Sequence, residues 1–284
     1  MQNWVFLIII YGLLSGTADV LKKKSLSANN NVLQVLAGYS LISFLMTSFE
    51  FTNAIQVDIK YILLILLKST FIFISWILSF NFIKKMPISI YGVLILSRIL
   101  FSTMWGVIFL GELLGFSQIL GGIVIILGLV LVNLKNGGSS NQKVQFKHVA
   151  IILTSCMLAT LSGLIDKIAM RTISSGQLQF WFMFFVSVMY WGFLLIKKDK
   201  IEIKKIFKNY WIYLLALCLI LSDRALFIAN SIPESKLSVM ALVKQVAVIV
   251  TVVVGGKVFK EKNILYRLLC SLLVISGISI VVLF

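Results

Sequence analysis

Five charged residues stand inside apolar stretches of the chain, where charge is costly to place. They are Arg98, Lys244, Asp223, Arg224 and Lys68. An ionised side chain at the centre of a bilayer costs at least about 2.5–3.5 kcal/mol, so such residues line a cavity or form pairs. Four of the five are bases, and an excess of buried positive charge is best tolerated when an anion visits. We therefore predict that Arg98 and Lys244, helped by Arg224, Lys68 and Asp223, bind a small molecule with an anionic or zwitterionic group.

Two other interpretations of these charges stay open. Asp223 could pair internally with Arg98, Arg224 or Lys244 and hold two parts of the molecule together. Alternatively, one of the bases could act as a protonatable or gating group.

Helical spacing places polar and aromatic residues beside these charges. Residues seven or eight apart lie on one face of a helix, and several such neighbours precede or follow the central charges at that spacing. Each aromatic residue could equally serve packing. The predicted site is thereby extended by Tyr91, Trp76, Trp105 and Asn230, and also by Gln245, which directly follows Lys244.

Three aspartates are candidates for gating or ion coupling. Asp223 is central and could couple transport to protons, whereas Asp19 and Asp166 lie nearer the ends of their apolar runs. Asp19 is followed by Lys22 and Lys23 at i+3 and i+4, a spacing that also suits a local ion pair. A gate and a local pair therefore both remain possible for Asp19.

The apolar stretches themselves define the class of protein. Of 284 residues, 60% are hydrophobic and 13% are charged, about half the charged fraction of a soluble domain. A water-soluble globule is excluded, and a membrane span needs about 20 apolar residues. The sequence predicts an all-α membrane protein with ten spans, at residues 4–21, 32–51, 61–82, 88–110, 116–134, 148–165, 177–196, 211–230, 237–258 and 264–284.

The chain contains the same pattern twice. Asp19 and Asp166 follow similar Leu-Ser-Gly segments, and Pro87 and Pro233, the only prolines, each precede a span. Arg98 and Lys244 each stand eleven residues beyond their proline, roughly 16 Å into a core of about 30 Å. We predict a first five-span repeat at 1–136, a connecting loop at 137–147 and a second repeat at 148–284. Because five is odd, the second repeat is inverted, as in many secondary transporters.

The loop bases predict an orientation. Loops after the odd spans carry 18 of the 26 Lys and Arg residues, whereas those after the even spans carry four. The positive-inside rule places the basic loops in the cytoplasm and both termini outside. The first run lacks a basic leader and is expected to be a span. We predict a multi-pass protein of a bacterial plasma membrane.

These motifs resemble the drug/metabolite transporter superfamily, EamA type. The resemblance rests on Pro87, Gly111-Glu112 and Gly128 in the first half and on Pro233, Lys260-Glu261 and Gly277 in the second. It implies ten spans and a transport function. The triose-phosphate branch of the superfamily binds phosphate with bases of its fourth and ninth spans, which implies the same for Arg98 and Lys244.

The function expected is secondary transport of a small metabolite by alternating access. Protons or a counter-substrate would supply the energy, and the partners would be the substrate and the lipid bilayer, with a monomer expected. Alternatives are an exporter of cationic or aromatic compounds with structural bases, or a membrane enzyme or scaffold. No enzyme activity, cofactor, metal or nucleic-acid partner is expected, because the sequence contains no metal-ligand cluster or nucleophile elbow.

Overall fold

The computed structural model is helical wherever it describes the chain. The described residues are 3–28, 31–110, 115–134, 146–170, 172–197, 201–232 and 243–283. They contain helices and turns and no strand. Among the sequence landmarks, Glu112, Pro233 and most of the predicted connecting loop lie outside these ranges.

Thirteen helices run through the described residues. In chain order they are α1 (Asn3–Ala28), α2 (Val32–Met46), α3 (Phe51–Ala54), α4 (Ile59–Ile83), α5 (Ile88–Ile95), α6 (Arg98–Leu110), α7 (Phe116–Leu134), α8 (Phe146–Ala169), α9 (Ser175–Ile196), α10 (Ile203–Lys208), α11 (Tyr210–Ser231), α12 (Val246–Val258) and α13 (Ile264–Leu283). A 3₁₀ turn, Ser48–Glu50, precedes α3, and the middle of α12, Thr251–Gly255, is π-helical.

The prediction of ten spans is not confirmed in number. Six helical segments of the described chain are long and apolar enough to cross a membrane. A seventh is added if α2 and the segment Ser48–Ala54, bent by 46° at Thr47, form one span. Three shorter apolar helices occupy the remaining predicted positions, at Ile119–Val132, Val246–Val258 and Ile264–Ile280.

Polar residues outside the apolar runs set several helix starts. The Asn31 side chain accepts hydrogen bonds from the first turn of α2. Ser174 and Gln177 form a reciprocal capping box at α9, and Asn209 caps α11. These contacts satisfy backbone N–H groups that have no partner within the helix. Pro87 stands immediately before α5, where a missing N–H costs nothing.

The long helices pack in four main pairs around one core. The pairs are α1 with α11, α4 with α8, α2 with α9, and α7 with α13. Small residues permit the last pair to approach closely, since a Cβ built at Gly277 would lie 2.9 Å from the Gly121 carbonyl oxygen. Gly128 is likewise packed against Val274. Small residues therefore allow close packing of these two helices, as is common in membrane proteins.

Candidate functional site

Arg98 and Lys244 both lie where a helix is tightened. The join of α5 and α6 carries short-range bonds, from Leu96 N to the Val93 oxygen (3.1 Å) and from Ile99 N to the Leu96 oxygen (3.2 Å). Before α12, Ala247 N donates to the Lys244 oxygen at 3.1 Å. Such i→i+3 bonds mark local departures from the α-helix that often accompany function. The two bases, equally far from their prolines in sequence, therefore occupy similar backbone settings.

Tyr11 of α1 connects the central charges. Its ring centroid lies 5.9 Å from Lys244 Nζ. Its hydroxyl interacts electrostatically with Asp223 and Arg98. The structure thus brings the predicted residues Arg98, Lys244 and Asp223 to the surroundings of one side chain.

None of these three charges has an ion-pair partner within the described part of the chain. No carboxylate lies within 4.0 Å of the Arg98 or Lys244 nitrogens, and no base lies that close to Asp223. The Nε atom of Arg98 is buried without a hydrogen-bond partner. Direct pairing of Asp223 with Arg98, Arg224 or Lys244, one of the interpretations left open by the sequence, is not what the structure contains.

Lys68 and Asp166 instead form a buried ion pair across the two halves. Lys68 Nζ bonds to an Asp166 oxygen, and the Lys68 side chain is 4% exposed. The same Nζ lies 4.3 Å from the ring centroid of Phe182. The charge of Lys68 is therefore neutralised, which removes it from the excess on which its predicted anion-binding role rested.

Arg224 is neutralised in a similar way. Its Nη1 lies 2.8 Å from Glu50 Oε1, and its guanidinium carbon lies 5.7 Å from the Phe49 ring centroid. The Glu50 carboxylate also packs against Gly176 at the start of α9. This pair joins the 3₁₀ turn after α2 to α11, so Arg224 has a structural partner that the sequence did not suggest.

Asp19 belongs to a buried chain of polar side chains. Its Oδ1 accepts from Lys22 Nζ at 2.8 Å, as the i+3 spacing allowed, and its Oδ2 accepts from Thr251 Oγ1 at 3.4 Å. Lys22 Nζ also lies 3.4 Å from the Tyr91 hydroxyl, which is 2.7 Å from Ser79 Oγ. The pair is local but not at the surface, and it links α1, α4, α5 and α12. Tyr91 is held in this chain.

Glu261 binds the start of a helix from the other half. Its carboxylate accepts from the backbone nitrogens of Ile88 (2.5 Å) and Ser89 (3.1 Å) at the N-terminus of α5. Arg267 Nη1 lies 2.9 Å away and Lys23 Nζ 3.4 Å away. A carboxylate stabilises a helix N-terminus through free N–H groups and the helix dipole. Glu261 thus caps α5 across the halves.

The remaining predicted residues have packing contacts or incomplete descriptions. Trp76 packs its ring on Tyr39 at a centroid distance of 5.2 Å, and Trp105 Nε1 donates to Thr160 at 3.1 Å. Gln245 lies in the tightened turn before α12. Asn230 lies in α11, and its side chain is outside the described part. The binding roles of these residues stay predictions.

Residues 2–134 match the model of the EamA-like transporter family. Just under half of the chain is therefore similar to EamA-like transporters. The resemblance is confirmed for the first half, where Pro87, Gly111-Glu112 and Gly128 all lie within the matched residues. The apolar helices and this family together identify a multi-pass membrane protein.

Solved structures extend the likeness in fold to nearly the whole chain. Twenty-three chains of solved structures match, and one, titled only as the crystal structure of a protein, aligns with a TM-score of 0.59. The alignment covers 96% of each chain at 11% identity, so it concerns the fold alone. A search of curated proteins found no match.

Within the EamA-like half, sequence reasoning missed Tyr11. A signal was present, because Tyr11, Ser15 and Asp19 are spaced four apart and share a face of α1. The pairing of Glu50 with Arg224 could not be inferred either, since it depends on a contact across 174 residues.

Proposed function

We propose that this protein is a secondary transporter that moves a small metabolite with an anionic or zwitterionic group by alternating access. The similarity to the EamA-like family supports a transport function. The unpaired bases Arg98 and Lys244 support an anionic or zwitterionic substrate. The protein would act in a bacterial plasma membrane, with both termini outside.

The observation that carries the proposal is the unpaired state of Arg98 and Lys244. Lys68 and Arg224, which also stand within apolar helices, have carboxylate partners. An uncompensated charge in a low-dielectric interior lowers stability. Two bases that have no ion-pair partner therefore indicate a functional role. An anionic group of a substrate would supply the missing negative charge.

The packing pattern supports two inverted repeats. If α1 to α7 correspond to α8 to α13, exchanging the halves converts the α1–α11 pair into the α8–α4 pair. The same exchange converts the contact of α1 with α12 into that of α8 with α6. It leaves the α2–α9 and α7–α13 pairs unchanged, because each joins corresponding helices of the two halves. A two-fold relation of this kind places a substrate site between the repeats, near the membrane midplane.

Asp223 is the carboxylate through which the driving ion would act. Asp223 has no ion pair in the described chain. Both Asp223 and Arg98 interact electrostatically with the side chain of Tyr11. Binding of a cation would neutralise the Asp223 carboxylate. Asp223 would then compete less with the substrate anion for Arg98 and Lys244. Binding of the driving ion and of the substrate would then favour each other.

The main alternative within transport is export of cationic or aromatic compounds, favoured by the ring contacts of Trp76. A membrane enzyme or a scaffold is a more distant alternative. No group of three or more His, Cys, Asp or Glu residues that could hold a metal occurs among the described residues.

A thermal-shift screen followed by flux measurement tests the proposal. Purified protein is heated with sets of anionic, zwitterionic and cationic metabolites, and compounds that raise the melting temperature are then loaded into proteoliposomes. We expect anions or zwitterions to raise the melting temperature, to exchange across the bilayer, and to lose both effects in the Arg98→Gln variant.

Other outcomes distinguish the alternatives. Cations that stabilise wild type and Arg98→Gln equally, and that cross the bilayer, would replace the proposal with the cation exporter. Chemical conversion of the compound would indicate an enzyme. Binding of a protein without any solute flux would indicate a scaffold.

A further inference from the structure

Three buried polar atoms on α2 and α9 lack hydrogen-bond partners among the described residues. They are the Tyr39 hydroxyl, Ser43 Oγ and Gln179 Oε1. All three residues are 0% exposed. A buried polar atom without a partner is costly, and each such atom in a native structure calls for an explanation. Because all three atoms are oxygens, one ligand bound by all of them is a simpler explanation than three unrelated unsatisfied atoms.

The packing of α2, α9 and α11 brings these oxygens towards Asp223. The Gln179 amide nitrogen donates to the Ile220 carbonyl at 3.2 Å, one turn of α11 before Asp223. Tyr39 lies on α2, which packs against α11, the helix of Asp223. Ser43 stands one turn beyond Tyr39, on the same face of α2. We refer to Tyr39, Ser43, Gln179 and Asp223 as the oxygen cluster.

The oxygen cluster itself carries one negative charge, the carboxylate of Asp223. Two neighbouring ion pairs, Lys68 with Asp166 and Arg224 with Glu50, are each neutral. Asp223 adds one carboxylate, and no further described carboxylate joins it in a metal-binding group. A divalent ion usually takes several carboxylates, so this charge suits a monovalent cation.

The local backbone also favours a cation. Helix α2 ends at Met46, one turn after Ser43, and the chain bends by 46° there. The C-terminal end of a helix carries partial negative charge through the helix dipole. Interrupted helix ends of this kind coordinate Na⁺ in other transporters.

We propose that the oxygen cluster binds one monovalent inorganic cation, Na⁺ or K⁺. The carboxylate of Asp223, the two hydroxyls and the Gln179 amide oxygen are hard ligands suited to such an ion. A role for the ion in driving transport rests on the proposed function. Its binding does not, because the cluster contains neither Arg98 nor Lys244.

The test measures the melting temperature of the purified full chain without any metabolite. Choline chloride is replaced stepwise by NaCl, KCl or methylammonium chloride at constant ionic strength. We expect a saturable rise in melting temperature with Na⁺ or K⁺ and none with methylammonium. Removing one ligand, in Ser43→Ala or Tyr39→Phe, should raise the half-maximal cation concentration by about tenfold. Asp223→Asn should abolish the response.

Matched controls separate ion binding from general destabilisation. Ser40→Ala removes a buried hydroxyl of the same helix that bonds to the Ala37 carbonyl. Tyr190→Phe removes a buried phenol that bonds to the Phe73 carbonyl at 3.0 Å. Both variants can melt at a lower temperature, but they should keep the wild-type cation dependence.

Three results would overturn the proposal. The first is the same melting temperature in NaCl, KCl and choline chloride. The second is a cation response that persists unchanged in both Ser43→Ala and Tyr39→Phe. The third is an equal or larger response to methylammonium, which would assign the cluster to an organic amine. If the cation binds but no solute crosses the bilayer, the site stands and the transport proposal fails.

Discussion

Individual buried bases fall into two groups according to their nearest carboxylate. Lys68 and Arg224 have one within ion-pair distance, whereas Arg98 and Lys244 have none among the described residues. Removing a partner from a buried pair leaves an uncompensated charge and lowers stability. Removing an unpaired charge does not have this cost. Stability and affinity therefore respond differently in the two groups.

Neutralising the unpaired bases should reduce ligand affinity more than stability. We expect Arg98→Gln and Lys244→Gln each to weaken binding of an anionic ligand by about 1.5–3 kcal/mol, roughly 10- to 150-fold. Arg98→Lys should also weaken it if the guanidinium binds in a bidentate way. The melting temperature without ligand should change little. Calorimetric titration and thermal unfolding of the same preparations provide the measurement.

Lys68→Gln is the matched control for that comparison. It leaves Asp166 buried without its partner, so the melting temperature should fall while the anion affinity of the folded protein is largely kept. Unchanged affinity in Arg98→Gln and Lys244→Gln, accompanied by a large loss of melting temperature, would reject the anion-binding role.

At the scale of elements, the close pair of α7 and α13 gives a direct test of packing. A Cβ at Gly277 would lie 2.9 Å from the Gly121 oxygen and 3.0 Å from Ile125 N, both backbone atoms. We expect Gly277→Ala to destabilise the protein by about 1–3 kcal/mol, because the helices must separate. Thermal unfolding in detergent measures the loss.

A second helical glycine provides the comparison. A Cβ at Gly192 in α9 meets no atom within 4 Å. Gly192→Ala should therefore leave the protein equally or slightly more stable, since alanine is the better helix former. A similar loss in both variants would show that α7 and α13 do not pack as described.

The sequence predicts elements better than it predicts partners. Apolar length located the helices, and the proline spacing placed Arg98 and Lys244 at equivalent backbone positions. The partner of Arg224 could not be predicted, because a pattern along one helix contains no information about Glu50, which approaches from another. The tightened turn at Leu96 was also missed, because residues 93–99 contain no proline or glycine that would signal it.

At the scale of the whole molecule, the contacts collect the basic helix ends on one face. Lys23, near the end of α1, contacts Glu261 in the turn after α12 and the carbonyl of Met86 in the turn after α4. Asn209, at the start of α11, donates to the Ser25 carbonyl. The loops that carry most of the bases in the sequence therefore lie together. Their combined positive charge should determine which side of the molecule faces the cytoplasm.

This common surface predicts that both termini are outside the cytoplasm. The positive-inside rule depends on bases in short loops, and in the sequence the loops after the odd-numbered predicted spans carry 18 bases and the others four. A reporter that is active only in the cytoplasm should be silent when fused after Phe284. The same reporter inserted between Gly138 and Ser139, in the predicted connecting loop, should be active and controls for expression. Reporter activity at Phe284 together with silence at the insertion would reverse the predicted orientation. The anionic lipids of the cytoplasmic leaflet attract basic surfaces, and in that reversed orientation they would lie on the side of the membrane opposite to the basic loops.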